Sequence, residues 1–114
     1  MSDEQCLFCR IVRGEIPATI VRETADCIAF RDINPQAPVH ILVIPRRHVA
    51  TLNEVDEPAL AGRLSMLAAE IARAEGIAES GYRTVMNTND DGGQTVHHLH
   101  LHLLGGRAMH WPPG

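Results

Sequence analysis

From residue 98 the chain alternates histidine and leucine, reading His98-Leu99-His100-Leu101-His102-Leu103-Leu104. A β-strand sends successive side chains to opposite faces. A period of two therefore puts His98, His100 and His102 on one side and Leu99, Leu101 and Leu103 on the other. In an α-helix the same residues would scatter round the axis. The pattern predicts a strand over 98–104, its leucine face in a core and a row of imidazoles opposite. Alternate rings on one strand stand roughly 7 Å apart, a scale at which several donors and a nucleophile can flank one reacting centre. A strand whose histidines bind metal incidentally, or merely face solvent, is the plain alternative. The glycine-rich Gly92-Gly93 directly upstream favours chemistry.

At 114 residues the chain is expected to form a single domain over 1–114, large enough for one core and too small for two. Its formal charge of −4 argues against an electrostatically driven nucleic-acid binder. All ten basic residues are arginine and none forms a run. No apolar stretch approaches the ~20 residues of a membrane span, and the acidic start Met1-Ser2-Asp3-Glu4 is unlike a secretory signal. Cys6, Cys9 and Cys27 are an odd set without a secreted context, so the expectation is a reduced, cytoplasmic protein without a disulfide framework.

In chain order, residues 6–14 read as a short helix stopped by Gly14. Residues 19–22 and 27–31 read as a hairpin, 32–38 as a proline-broken loop, and 40–44 as a β-branched strand stopped by Pro45. A long helix is predicted over 57–75, with Asp56 as N-cap, Pro58 in its first turn, and Leu60, Leu64, Leu67 and Ile71 on one stripe. Residues 82–87 read as a strand and 89–93 as a tight polar loop before the histidine strand. The order of helix, three strands, helix, two strands predicts an α+β fold. Its expected form is a five-stranded antiparallel sheet with one long and one short helix on one face and the histidines on the uncovered face.

Two constellations carry chemistry. Cys6-x-x-Cys9 offers two sulfurs from one helical turn, a spacing typical of zinc sites, although a redox pair or an incidental spacing fits the same residues. Cys27 reads as a small buried residue, and His97, on the leucine side, carries no assigned chemistry. The second constellation is the histidine strand with Gly92-Gly93-Gln94-Thr95. Glycines let backbone N–H groups approach an anion, and the Gln94 amide and Thr95 hydroxyl can donate to phosphate or leaving-group atoms.

The His-φ-His-φ-His-φ-φ run resembles the signature of the histidine-triad (HIT) superfamily of nucleotide hydrolases and transferases. Ile16-Pro17-Ala18, Asp32-Ile33, Gln36-Ala37-Pro38-Val39-His40, Val43-Ile44-Pro45, Gly92-Gly93-Gln94-Thr95 and the tail Trp111-Pro112-Pro113-Gly114 all resemble its histidine-triad nucleotide-binding (Hint) branch. The resemblance covers nearly the whole chain. It implies a HIT-like sheet that dimerises into a continuous ten-stranded sheet, and hydrolysis of the P–N bond of purine nucleoside 5′-phosphoramidates such as that of adenosine. His100 would be the nucleophile, His102 would sit against the phosphate or leaving group, and His98 and His40 would complete the catalytic set. Asp32, Ile33, Asn87, Gly93, Gln94 and Thr95, where relatives carry Ser, would contact the nucleotide, with Phe8, Ile11 and Phe30 as walls round the base. Some members close a structural Zn²⁺ site with two histidines, which here fall on His48 and His98 beside Cys6 and Cys9. Catalysis would need no cofactor.

The chemistry is sound in itself. A neutral imidazole, with its pKa near 6.5, is a nucleophile with one free nitrogen. An N-phosphoryl imidazolium then splits one difficult displacement into two easier ones. Two other readings stay open. One is a dinucleoside polyphosphate hydrolase or nucleotidyl transferase. The other is a zinc-stabilised nucleotide-binding interaction module with little turnover.

Overall fold

The computed structural model describes residues 4–114. Strands β1 (Ile20–Glu23), β2 (Cys27–Arg31), β3 (Val39–Pro45), β4 (Tyr82–Val85) and β5 (Leu101–Gly105) form one antiparallel sheet in the order β1-β2-β3-β5-β4. Helix α1 (Leu7–Val12) precedes it, α2 (Pro58–Ala74) links β3 to β4, and a one-turn α3 (Asn89–Gly92) links β4 to β5. Helix α1 ends as its sequence suggests: Gly14, at φ 75°, donates its N–H to the Ile11 carbonyl at 3.0 Å. Helix α2 starts with Pro58 in its first turn, but its N-cap is Glu57 and no side chain caps it. Asp56 is drawn away by Arg47, whose guanidinium lies 2.8 Å from its carboxylate.

The leucine face behaves as the period of two requires. Leu99, Leu101 and Leu103 pack with Cys27, Ala29, Ile41 and Val43 against Leu60, Leu64, Leu67 and Ile71 of α2. The opposite face is not bare, which corrects the expectation of helices on one side only. Ile28, Phe30, Leu42 and Ile44 alternate with the first set along β2 and β3, and they pack against Cys6, Phe8 and Cys9 at and in α1. Each of these side chains would forgo about 1.5–3 kcal/mol of burial if left in water, so the second face needs a cover. The signal was present: 27–30 and 41–44 are unbroken apolar runs, the mark of strands buried on both faces. A short helix therefore lies on the histidine face and forms one wall of whatever site that face holds.

The end of β5 is closed by two tight contacts. A Cβ on Gly105 would stand 3.3 Å from Ile77 Cβ, and one on Gly106 would stand 2.9 Å from Pro38 Cβ. Gly106 also has φ 87°, a conformation that L side chains rarely adopt. The Gly106 approach sets the loop 32–38 against the end of the strand that carries the histidines, and the Gly105 approach sets Ile77 there.

Candidate active site

The histidine run does not pair along its whole length. The β3–β5 ladder ends at Val43 opposite Leu101, and the same register continued would set Ile44 against His100 and then Pro45 against Leu99. Proline has no N–H to donate, so the ladder stops there. Leu99 gives its N–H to Val49 at 2.6 Å instead, and the Pro45 carbonyl receives the ring of His98 at 2.8 Å. The strand expected over 98–104 is thus observed over Leu101–Gly105, with His98 in a bend and His100 in an irregular stretch before it.

His98 is fully buried, and a carbonyl can only accept, so its Nε2 carries the proton and Nδ1 presents a lone pair. That nitrogen lies 3.4 Å from both Cys6 Sγ and Cys9 Sγ, while His48 Nδ1 is 3.2 Å from Cys9 Sγ. The four donor atoms of Cys6, Cys9, His48 and His98 lie within 4.8 Å of one another and could hold a metal ion. Cys6 also caps α1, its sulfur accepting the Cys9 N–H at 3.4 Å. None of the three cysteines is in a disulfide, and burial pushes the Cys27 thiol up. His98, expected in both the catalytic and the metal set, turns its Nδ1 toward the two cysteines.

The His98 main chain serves the other centre. Its carbonyl accepts His100 Nδ1–H at 2.7 Å, which leaves His100 Nε2 as the nitrogen with a free pair. Phe8 packs edge-on to the same ring, with centroids 5.1 Å apart. His102 stands 5.0 Å from His100, centroid to centroid, and its Nδ1 meets His40 Nε2 at 2.9 Å. Asp32 Oδ2 lies 3.5 Å from that same His40 nitrogen. Burial lowers the pKa of His100, His40 and His102 from the ordinary value, reaching about 4 at His102, where His100 and His40 add to the effect. The Asp32 carboxylate opposes this in all three and loses to desolvation. These imidazoles are neutral at pH 7.

A cleft of about 260 Å³ opens on this group and includes Phe8, Ile11, Phe30, Ile33, Asp32 and Thr95 with His100 and His102. The predicted base walls and Asp32 are therefore brought to the triad. Ile33 lies at the mouth and is wholly exposed. Asp32 Oδ1 accepts the Asn34 N–H at 2.8 Å. Three expected nucleotide contacts sit elsewhere. Asn87, half-buried just after β4, does not line the cleft. Gln94 is buried and spends its amide on the backbone, accepting from Asn89 and donating to Ala50 and Val96. The Gly93 N–H goes to the Asp90 carbonyl, because the expected loop is the one-turn α3. Among the four residues of that motif, Thr95 alone lines the cleft.

Pro45 and Gln36 reach the histidines through main-chain atoms, the Pro45 carbonyl at His98 and the Gln36 N–H at His40 Nδ1 (3.0 Å), which no side-chain pattern marks. Leu7 and Leu42, further cleft residues, were legible as the apolar neighbours of Phe8 and Ile41.

The HIT domain family model matches residues 13–109. The chain is 54% identical over 109 residues to the purine nucleoside phosphoramidase of Escherichia coli (strain K12), covering 93% of this chain and 91% of that protein. A crystal structure of a HIT family hydrolase from Legionella pneumophila Philadelphia 1 superposes with a TM-score of 0.94 at 55% identity, covering 96% of this chain and 100% of that one. A zinc-bound histidine triad family protein from Mycobacterium smegmatis superposes at 0.84 with 31% identity, covering 93% and 78%.

The lowered pKa at His102 sets the sign of a pH dependence. Between about 4 and the ordinary 6.5 the unfolded chain binds a proton at this residue that the folded chain refuses. Stability therefore rises with pH across that window and is lost as pH falls through it. Urea denaturation between pH 4.5 and 7 should show a shallower pH dependence for His102→Asn than for wild type. Equal slopes would show that His102 is not held neutral.

Proposed function

Because the chain belongs to the histidine-triad family, we propose that it hydrolyses the P–N bond of purine nucleoside 5′-phosphoramidates, such as that of adenosine, through a nucleotidyl-His100 intermediate. The observation that carries this reading is the His100 ring, pinned through Nδ1–H to the His98 carbonyl at 2.7 Å and buried beside an apolar cleft. Such a ring is neutral, oriented and nucleophilic at one nitrogen. The likeness to the E. coli phosphoramidase names the leaving atom.

The steps follow from the neutral imidazoles. The base lies among Phe8, Ile11, Phe30 and Ile33, and Asp32 accepts from the ribose hydroxyls. The His100 Nε2 pair bonds phosphorus as the P–N bond breaks. The departing amine takes a proton from the Thr95 hydroxyl, which regains one from solvent. His102 Nε2–H donates to a phosphoryl oxygen, where a single oriented donor is worth about 10²–10³ in rate. A water oxygen then bonds phosphorus, the bond to His100 breaks, and the proton of the water leaves by the same route. The second half returns the enzyme with one water consumed, and no cofactor takes part.

Zinc fits the cysteine–histidine cluster. Ligands at ~2.3 Å to sulfur and ~2.0 Å to nitrogen round a tetrahedral ion stand about 3.5 Å apart, close to the observed 3.2–3.4 Å between sulfur and nitrogen. The Pro45 carbonyl holds the far nitrogen of His98, as a ligand imidazole requires. With four protein ligands the metal is structural, tying α1, and with it Phe8, to the segment that carries His100. The chain works as one domain over 1–114 and as a cytoplasmic homodimer of the Hint branch. Edge strand β4, with Tyr82 exposed, and exposed Trp111 in the tail supply the joining surface that continues the sheet to ten strands. No helix among the described residues is long and apolar enough to cross a membrane.

His100→Ala should abolish turnover of adenosine 5′-phosphoramidate, measured by release of the amine, while AMP still binds by calorimetry. A residual rate above a few per cent would refute the nucleophile. Elemental analysis of protein purified without chelator should find near-stoichiometric zinc, reduced in Cys6→Ser/Cys9→Ser together with a lower melting temperature. Metal-free wild type of equal stability and activity would refute the site. Light scattering at micromolar concentration should give twice the chain mass, and a monomer would remove the dimer.

A further inference from the structure

A second group of potential ligands lies inside the cleft. The donor atoms of Asp32, His40 and His102 are all within 4.8 Å of one another, as in the cysteine cluster. The two clusters differ in where their protons are. At His98 a carbonyl takes the outer N–H, so the inner nitrogen offers its pair to the cysteines. At His40 the outer nitrogen faces a donor instead: the Gln36 backbone N–H points at His40 Nδ1 at 3.0 Å. An amide can only donate, so neutral His40 must carry its proton on Nε2. That proton then occupies the middle of the group, between His102 Nδ1 at 2.9 Å and Asp32 Oδ2 at 3.5 Å. A metal ion would have to expel it, and Nδ1 has no room for it.

We propose that the main-chain N–H of Gln36 is the positioning group that sets the direction of the whole proton array: His40 protonated at Nε2, His102 accepting at Nδ1, and His102 therefore presenting Nε2–H to the substrate. This deepens the hydrolytic reading above and rests on it for the identity of the substrate. The loop that carries the amide is held on several sides. The Asp32 N–H reaches the His40 carbonyl at 3.0 Å, and the Gln36 side chain donates to Asn34 O at 3.0 Å. Arg107, just beyond β5, donates to the Gln36 carbonyl at 3.1 Å. Pro38 packs on Gly106, with no room for a side chain between them. Without the amide, His40 can carry its proton on Nδ1. His102 must then donate from Nδ1 to His40 and turn a lone pair toward the phosphoryl oxygen, replacing attraction by repulsion. The depressed pKa values of His40 and His102 agree with this scheme, since both rings act as neutral tautomers rather than as cations.

The test uses full-length ¹⁵N-labelled protein at neutral pH. Long-range ¹H–¹⁵N correlation should find both His40 and His102 protonated at Nε2. Through-hydrogen-bond couplings should link the Gln36 amide to His40 Nδ1, and His40 Nε2 to His102 Nδ1. His40 protonated at Nδ1, or no coupling to the Gln36 amide, overturns the proposal without any substitution. A semisynthetic chain with an ester oxygen in place of the Gln36 N–H supplies the consequence. Its tautomers should shift and its kcat on adenosine 5′-phosphoramidate fall about a hundredfold, the scale of losing one oriented donor, with KM nearly unchanged. Gln36→Ala keeps the N–H and should keep the wild-type tautomers. Unaltered tautomers in the ester chain would equally overturn the proposal. Wild-type tautomers as described with no turnover would instead fault the substrate reading and leave the role of the amide supported.

Discussion

Pro45 has no N–H to give, and both centres depend on that lack. A residue with a full peptide group there would extend the β3–β5 ladder to Leu99 and draw His98 into a regular strand. The ladder ends at Val43 opposite Leu101 instead, and the Pro45 carbonyl takes the His98 ring. The ring presents its other nitrogen to Cys6 and Cys9, and its own carbonyl, outside the ladder, holds His100. One residue thus joins a metal-type cluster through its side chain to the His100 ring through its main chain. The link spans a few bonds and needs no conformational change to operate.

Around that joint, desolvation outweighs charge. Asp32 lies within 3.5 Å of His40 and favours the protonated form of three histidines, yet the pKa of each is lowered. A carboxylate near an imidazole usually suggests a cation. Here His40 and His100 are buried and His102 is half-buried, each within about 5 Å of a neighbour that would also be charged, and neutrality prevails. Neutral rings have a direction, a donor end and an acceptor end, so hydrogen bonds to the main chain decide what each ring can do. Every buried side-chain nitrogen and oxygen among the described residues has a partner, which leaves no slack in that array.

The fold was legible where one force acted alone. The leucine alternation and the stripe of α2 reported burial on one side of the sheet, and the structure obeys them at Leu99, Leu101, Leu103, Leu64 and Ile71. Reading failed where two demands met. In β2 and β3 both faces are apolar, and the second face hid behind the first until α1 was found covering it. Gln94 looked like a substrate donor because its position suited one, but a buried amide must first satisfy itself, and three main-chain groups claimed it. The period of the histidine run predicts a shared face, while a metal role for His98 comes only with the family resemblance. The period correctly gave the face, since Phe8 meets both His98 and His100. It could not show that a missing N–H would divide that face between two centres.

The two faces of the sheet consequently carry separable burdens. The α2 side is apolar packing, in which a change of volume costs stability and reaches the histidines through the backbones of β3 and β5. The α1 side is short of apolar cover. A six-residue helix with Phe8 and Cys9 buried sits over Ile28, Phe30, Leu42 and Ile44, and by length alone such a helix is marginal. It is fastened by the cysteines at its start, which also face His48 and His98. The same helix supplies Phe8 to the cleft and to an edge contact with the His100 ring. Whatever holds the cysteine cluster together therefore holds the wall of the cleft, because Phe8 stands between Cys6 and Cys9 on the first turn of one short helix.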